Sequence, residues 1–170
     1  LSSAIVHCAD DSGELDGLIF TANGDGTCYV RSYEGGVNSD VVIPPVSPAG
    51  DRVTSIGNGA FTNCTGITSI DIPDSITSIG DSAFSGCTGL LSVEIPDGVT
   101  SIGEYAFSEC ENLKEIIIPD SVTNIGVSTF KNCKNLKEIV IPDSVTNIGD
   151  SAFEDCESLE EIVLPSNLKK

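Results

Sequence analysis

With 170 residues and a formal charge of −18, from 26 acidic against 8 basic side chains, the chain repels polyanions. Nucleic acid and anionic membrane surfaces are therefore excluded as partners. No apolar run approaches the ~18 residues of a spanning helix, so direct membrane insertion is not expected.

The charge is uneven: residues 1–113 set sixteen acids against Arg31 and Arg52, whereas residues 114–170 set ten against six lysines. Such acidity serves solubility, or it draws a cationic partner to the N-terminal half. The chain begins at Leu1 and holds no Met, as expected of a processed form.

Residues 1–52 are read as a β-rich N-terminal cap. Leu18–Ala22 and Thr27–Arg31 flank Asn23-Gly24-Asp25-Gly26, a turn sequence that predicts a hairpin. The same four residues have some flavour of a calcium loop but lack the acidic ladder and closing Glu that such a loop needs, so an ordinary turn is expected. Val41-Val42-Ile43-Pro44 anticipates a strand that recurs downstream.

From Val53 the chain is periodic. A 23-residue unit starts at Val53, Ile76, Val99, Val122 and Val145 and breaks off in a sixth copy at Leu168, giving an array over 53–170. A strict period of this length is the signature of a solenoid, whose coils bury one another's apolar side. Within one unit, Ile70 and Ile72 alternate with Ser69 and Asp71, as in a short strand with one buried face. Pro73 cannot donate to a ladder and ends that strand, and Asp74-Ser75 turn the corner. Ile76–Ile79 is a second extended segment, stopped by Gly80. Asp81-Ser82-Ala83-Phe84 predicts a single helical or 3₁₀ turn with Asp81 at its cap. Stacking would line the interior with columns of Ile, Phe and Cys.

The Leu-x-x-Ile-x-Ile-Pro frame at 90–96 and 113–119, with "IPDSVTNIG" and "SAFEDC", resembles the leucine-rich repeat, and more narrowly the BspA-type repeats of bacterial and protist surface proteins. The resemblance covers 53–167 five times over. It implies an α/β leucine-rich-repeat solenoid of right-handed stacked coils with a parallel sheet on the concave face. It names no ligand, since fold is not function.

Five of the seven cysteines, Cys64, Cys87, Cys110, Cys133 and Cys156, recur at the repeat spacing beside the core Phe. Stacked side chains point in parallel, so a column of buried thiols is expected rather than disulfides. There is no Cys-x-x-Cys pair for zinc, and no metal or cofactor is expected. Cys8 and Cys28, outside the array, could close a disulfide in the cap. His7 is the single histidine and lacks a partner motif, and no nucleophile elbow, Walker loop or dinucleotide fingerprint occurs. No catalytic residue is assigned, and the chain is not expected to be an enzyme.

Function is then sought where the coils differ. One outward column reads Ser69, Ser92, Glu115, Glu138, Glu161; the next reads Asp71, Glu94, Ile117, Val140, Val163; a flanking column reads Thr68, Leu91, Lys114, Lys137, Glu160. Ile117, Val140 and Val163, rimmed by Lys114, Glu115, Lys137 and Glu138, form a candidate protein-binding strip. Glu115 and Glu138 are expected to lean on Lys114 and Lys137. On another face Thr54, Thr77, Thr100, Thr123 and Thr146 form a ladder, read as cross-strand hydroxyl packing rather than an ice-binding row. The expected function is a noncatalytic protein-interaction module, secreted or on a cell surface, or else in an organelle lumen. The alternative is a structural or assembly subunit of a larger complex, docking through the solenoid face or through an apolar end left open at Leu168-Lys169-Lys170.

Overall fold

In the computed structural model, residues 13–35, 40–166 and 168 are described. The proposed Cys8 pairing and His7 lie outside them. The fold is a β-solenoid with two rows of short strands. Three antiparallel or bridging strands open it: β1 (Gly13–Leu15), β2 (Leu18–Ala22) and β3 (Thr27–Tyr33). The hairpin between β2 and β3 forms as expected, with register Ala22↔Cys28. Its turn is an ordinary one: the Asp25 carboxylate is turned back to accept the Thr27 hydroxyl at 2.6 Å and the Thr27 N–H at 3.0 Å. These bonds, the hydroxyl foremost, hold its pKa below the usual carboxylate value.

After β4 (Asp40–Val42) comes β5 (Arg52–Ile56), parallel to β3. The coils then alternate a three-residue and a two-residue strand: β6 (Ser69–Asp71), β7 (Ser78–Ile79), β8 (Ser92–Glu94), β9 (Ser101–Ile102), β10 (Glu115–Ile117), β11 (Asn124–Ile125), β12 (Glu138–Val140), β13 (Asn147–Ile148) and β14 (Glu161–Val163). The two-residue strands continue β1, β2, β3 and β5 into one 8-stranded sheet, in the order β1-β2-β3-β5-β7-β9-β11-β13. The three-residue strands form the second row as parallel pairs, β4 with β6, β8 with β10 and β12 with β14. Asp40↔Ser69 and Val41↔Ile70 are in register, so this row already begins at Val41-Val42-Ile43-Pro44.

The repeated apolar positions share one interior, as the period requires. Phe61, Phe84, Phe107 and Phe130 are fully buried and stack almost parallel, with centroids 5.1, 5.2 and 5.8 Å apart. Tyr33 closes the N-terminal end of the stack, its ring 5.6 Å from Phe61. In the last coil Phe153, Cys156, Leu159 and Ile162 are only partly buried. The thiols of Cys87, Cys110, Cys133 and Cys156 each donate to the carbonyl of the Phe one coil earlier. The Thr column is also spent internally: Thr77 and Thr100 hydroxyls donate to Thr54 O and Thr77 O at 3.1 and 3.3 Å.

One expectation is overturned. The described residues contain no helix, and the segment from Asp81 to Phe84 is a chain of tight turns. Two positions per coil adopt the left-handed conformation: Gly59, Ser82, Tyr105, Ser128 and Ser151 in one column, Asn63, Gly86, Glu109, Asn132 and Asp155 in the other. These reversals aim alternate N–H groups out of the coil. Gly59, Phe61 and Asn63 donate to Asp81 O, Ala83 O and Ser85 O of the next coil at 2.8, 2.7 and 2.8 Å, while Ala60, Thr62 and Cys64 bond within their own turn. A helix would have directed these N–H groups along its own axis rather than at the carbonyls of the adjacent coil.

Close stacking also explains the glycine after each buried Ile. Gly103 does not need a left-handed backbone, but a Cβ there would lie 2.5 Å from the backbone N of Asp81 in the preceding coil.

Candidate functional site

The face carried by β4, β6, β8, β10, β12 and β14 is where sequence and geometry diverge between coils. Strand alternation points Ile70, Val93, Ile116 and Ile139 inward, all buried, and sends the residues on either side of them to the surface. Ile117, Val140 and Val163 are exposed by 54%, 62% and 47%, large values for aliphatic side chains on three successive coils. Val140 is paired in register with Val163, and Ile117 stands beside Glu94 on its other side.

The row is not hydrogen-bonded throughout. β10 pairs with β8 and β12 with β14, and no strand pairing joins β10 to β12 among the described residues. A groove of about 380 Å³ lies at that joint, walled by Ile117, Val140 and Pro142 over the edges of buried Ile116 and Ile139. Beside it a second groove, of about 550 Å³, is lined by Lys114, Glu115, Lys137, Glu138, Glu160 and Glu161. Six of the seven residues singled out from the sequence line these two grooves, and the seventh, Val163, stands beside Val140 in register.

The expected internal ion pairs of this rim are absent. Among the described residues the ion pairs are Lys131–Glu154 at 2.8 Å and Lys134–Glu111 at 2.7 Å, on the turn side of the coils. Both join residues one full repeat apart. Lys114 has Leu91 and Lys137 at that spacing, one apolar and one of like charge, so stacking offers it no carboxylate. Lys114 and Lys137 are exposed and have no carboxylate within salt-bridge distance.

Sequence reasoning missed part of this face. Val42 on β4 is exposed by 64% and occupies the same column as Ile117, a position that the echo of the repeat strand at Val41–Pro44 could have revealed. Asp74, read only as a turn former, lines a groove of about 460 Å³ with Asp40, Val42, Asp71 and Glu94. Asp40 also accepts the Ser69 hydroxyl at 2.6 Å.

No group of three His, Cys, Asp or Glu side chains among the described residues converges tightly enough to hold a metal ion. The array thiols are buried or half-buried, and burial raises their pKa values, to about 12 for Cys87, so they are poor nucleophiles near neutral pH. No described helix is long and apolar enough to cross a membrane.

Comparison with known proteins agrees with this architecture. The model for the BspA-type leucine-rich repeat region matches residues 54–170 in 6 copies. A leucine-rich repeat protein of T. pallidum is 32% identical and superimposes with a TM-score of 0.83, over 90% of this chain and 71% of its own. One from Bacteroides ovatus is 41% identical with a TM-score of 0.85, over 92% of this chain but 42% of its own. A leucine-rich cell surface protein of Faecalibacterium prausnitzii is 35% identical with a TM-score of 0.81, over 92% and 43%. The chain thus spans under half the length of the latter two. No curated protein matches. Period, strand rows, buried columns and these matches agree: the chain belongs to the BspA-type leucine-rich repeat family.

Proposed function

We propose that the protein is a noncatalytic interaction module that works outside the cell or on its surface and binds a protein partner through β10, β12 and β14. The observation that carries the reading is the strip of Ile117, Val140 and Val163, exposed on successive coils beside lysines that have no internal partner. The leucine-rich repeat is a fold typical of protein–protein interaction, and a relative 35% identical is described as a cell surface protein, which supports the location. Covering the strip contributes ~25 cal/mol per Å² of apolar surface, and the charged rim sets specificity and on-rate more than strength.

The test exposes immobilised wild type and an Ile117→Asp/Val140→Asp/Val163→Asp variant, of matched circular dichroism, to the same extracellular protein mixture. Hydrogen exchange then maps each captured complex. The variant is expected to lose the partners of the wild type, and protection is expected at 113–119, 136–142 and 159–165. Indistinguishable partner sets, or protection confined to 13–35 or to the Thr column, would overturn the assignment.

A further inference from the structure

The strip at β10–β14 continues without interruption into an acidic half of the same face. On β4, β6 and β8 the outward residues include Asp40, Asp71 and Glu94, beside Val42, Ser69 and Ser92, and with Asp74 the acids line the 460 Å³ groove around Val42, with no Lys or Arg in its wall. Asp71, Asp74 and Glu94 are exposed and make no ion pair. They are also too dispersed to hold a metal ion. Charges spread along a groove, rather than converged on a point, match a partner whose positive charges are spread along a chain.

Building on the proposed function, we propose that the partner is a protein segment with two blocks, aliphatic at one end and basic at the other, lying across the strands in one direction. Its aliphatic block covers Ile117, Val140 and Val163, and its basic block covers Asp71, Asp74 and Glu94. Three arguments select this occupant. A second copy of the chain would bring another −18 charges against the same face. A purely basic segment would leave the aliphatic strip uncovered, and a purely aliphatic one would desolvate the acids without pairing them. The rim favours net positive charge throughout, since its groove sets Lys114 and Lys137 against Glu115, Glu138, Glu160 and Glu161. From β4 to β14 the face spans about 24 Å at the usual strand spacing, which an extended segment of about eight residues crosses.

The probe is a synthetic peptide with four lysines, a Gly-Ser spacer and a Val-Ile-Val-Leu block, carrying a nitroxide at either end. With the label at the aliphatic end, amide signals of 115–117, 138–140 and 161–163 are expected to broaden; with the label at the basic end, those of 69–71 and 92–94. An Asp71→Asn/Asp74→Asn/Glu94→Gln variant is expected to bind about ten-fold more weakly at low salt, with a flatter salt dependence. Reversed or identical broadening from the two labels, equal affinity for an all-lysine peptide, face-to-face dimerisation of the chain, or no binding would overturn the two-block partner. Binding lost in the Ile117→Asp/Val140→Asp/Val163→Asp variant but unchanged on neutralising the acids would overturn it while leaving the docking strip in place. Loss in neither variant would overturn both.

Discussion

The thiol of Cys110 donates to the carbonyl oxygen of Phe84, one coil earlier, at 3.2 Å. Both groups are out of reach of water, and the thiol gives this carbonyl a second partner beside the N–H of Cys87 in its own turn, at 3.1 Å. Cys110→Ala is expected to cost about 1–3 kcal/mol, from the lost sulfur volume together with the lost hydrogen bond, and Cys110→Ser less, because a hydroxyl still donates. Urea unfolding of the two variants checks this. Equal losses would assign the role of the cysteine to packing alone.

The same thiols make stability depend on alkaline pH. Burial pushes Cys87 from the ordinary 9.0 up to about 12, and pushes Cys110 and Cys133 well upward too. Above pH 9 the unfolded chain therefore releases thiol protons that the folded chain retains. This stabilisation is intact below pH 9 and is lost as the pH rises towards 12, on the order of 1 kcal/mol per pH unit per thiol. The urea midpoint should be flat between pH 7 and 8.5 and fall beyond it, less steeply in Cys87→Ala. In native alkylation at pH 8, Cys64 and Cys156, which are only half-buried, should react before the other three.

Position along the stack should grade the value of each Phe. Phe107 has stacked neighbours on both sides, at 5.2 and 5.8 Å, whereas Phe153 is partly exposed and stacked on one side among the described residues. Phe107→Ala is expected to cost about 3–5 kcal/mol. Phe153→Ala should cost clearly less in the same denaturation experiment. Equal costs would mean that the interior is not graded by burial.

Glu109 holds φ of 61° where the preceding coil has Gly86 and others have Asn or Asp. Glu109→Gly removes the steric penalty of the left-handed region but adds freedom to the unfolded chain, for a net gain of about 0.5–1 kcal/mol. Glu109→Val should destabilise, since a β-branched residue tolerates that region poorly. A lowered melting temperature for the glycine variant would contradict this.

A single sequence expresses some parts of this fold and not others. Phe, Ile and Cys columns recur at one phase, so their common interior was legible at once, as was the outward placement of Ile117, Val140 and Val163. The turns were not, because Asp81-Ser82-Ala83-Phe84 taken alone resembles a helix start. What decides its conformation is the row of carbonyls in the adjacent coil. The column Asn63, Gly86, Glu109, Asn132, Asp155 did carry the signal, being rich in residues that accept positive φ. The lysine rim was misread for a related reason. The ion pairs that form join residues one repeat apart, not chain neighbours such as Lys114 and Glu115.

The lateral bonding of the turns makes length a quantised property of this protein. Phe61, Phe84 and Phe107, the thiol bonds, and the N–H groups of Gly59, Phe61 and Asn63 all find their partners at a fixed phase in the adjoining coil. Excising a whole repeat, such as 99–121, rejoins like with like and yields a shorter rod of the same cross-section. Excising one residue fewer throws every downstream ladder out of phase together, with aromatic opposite polar and donor opposite donor. Growth and loss by whole units is therefore the cheap route of variation for such a chain, and each unit gained or lost moves the acidic and aliphatic halves of its face relative to one another.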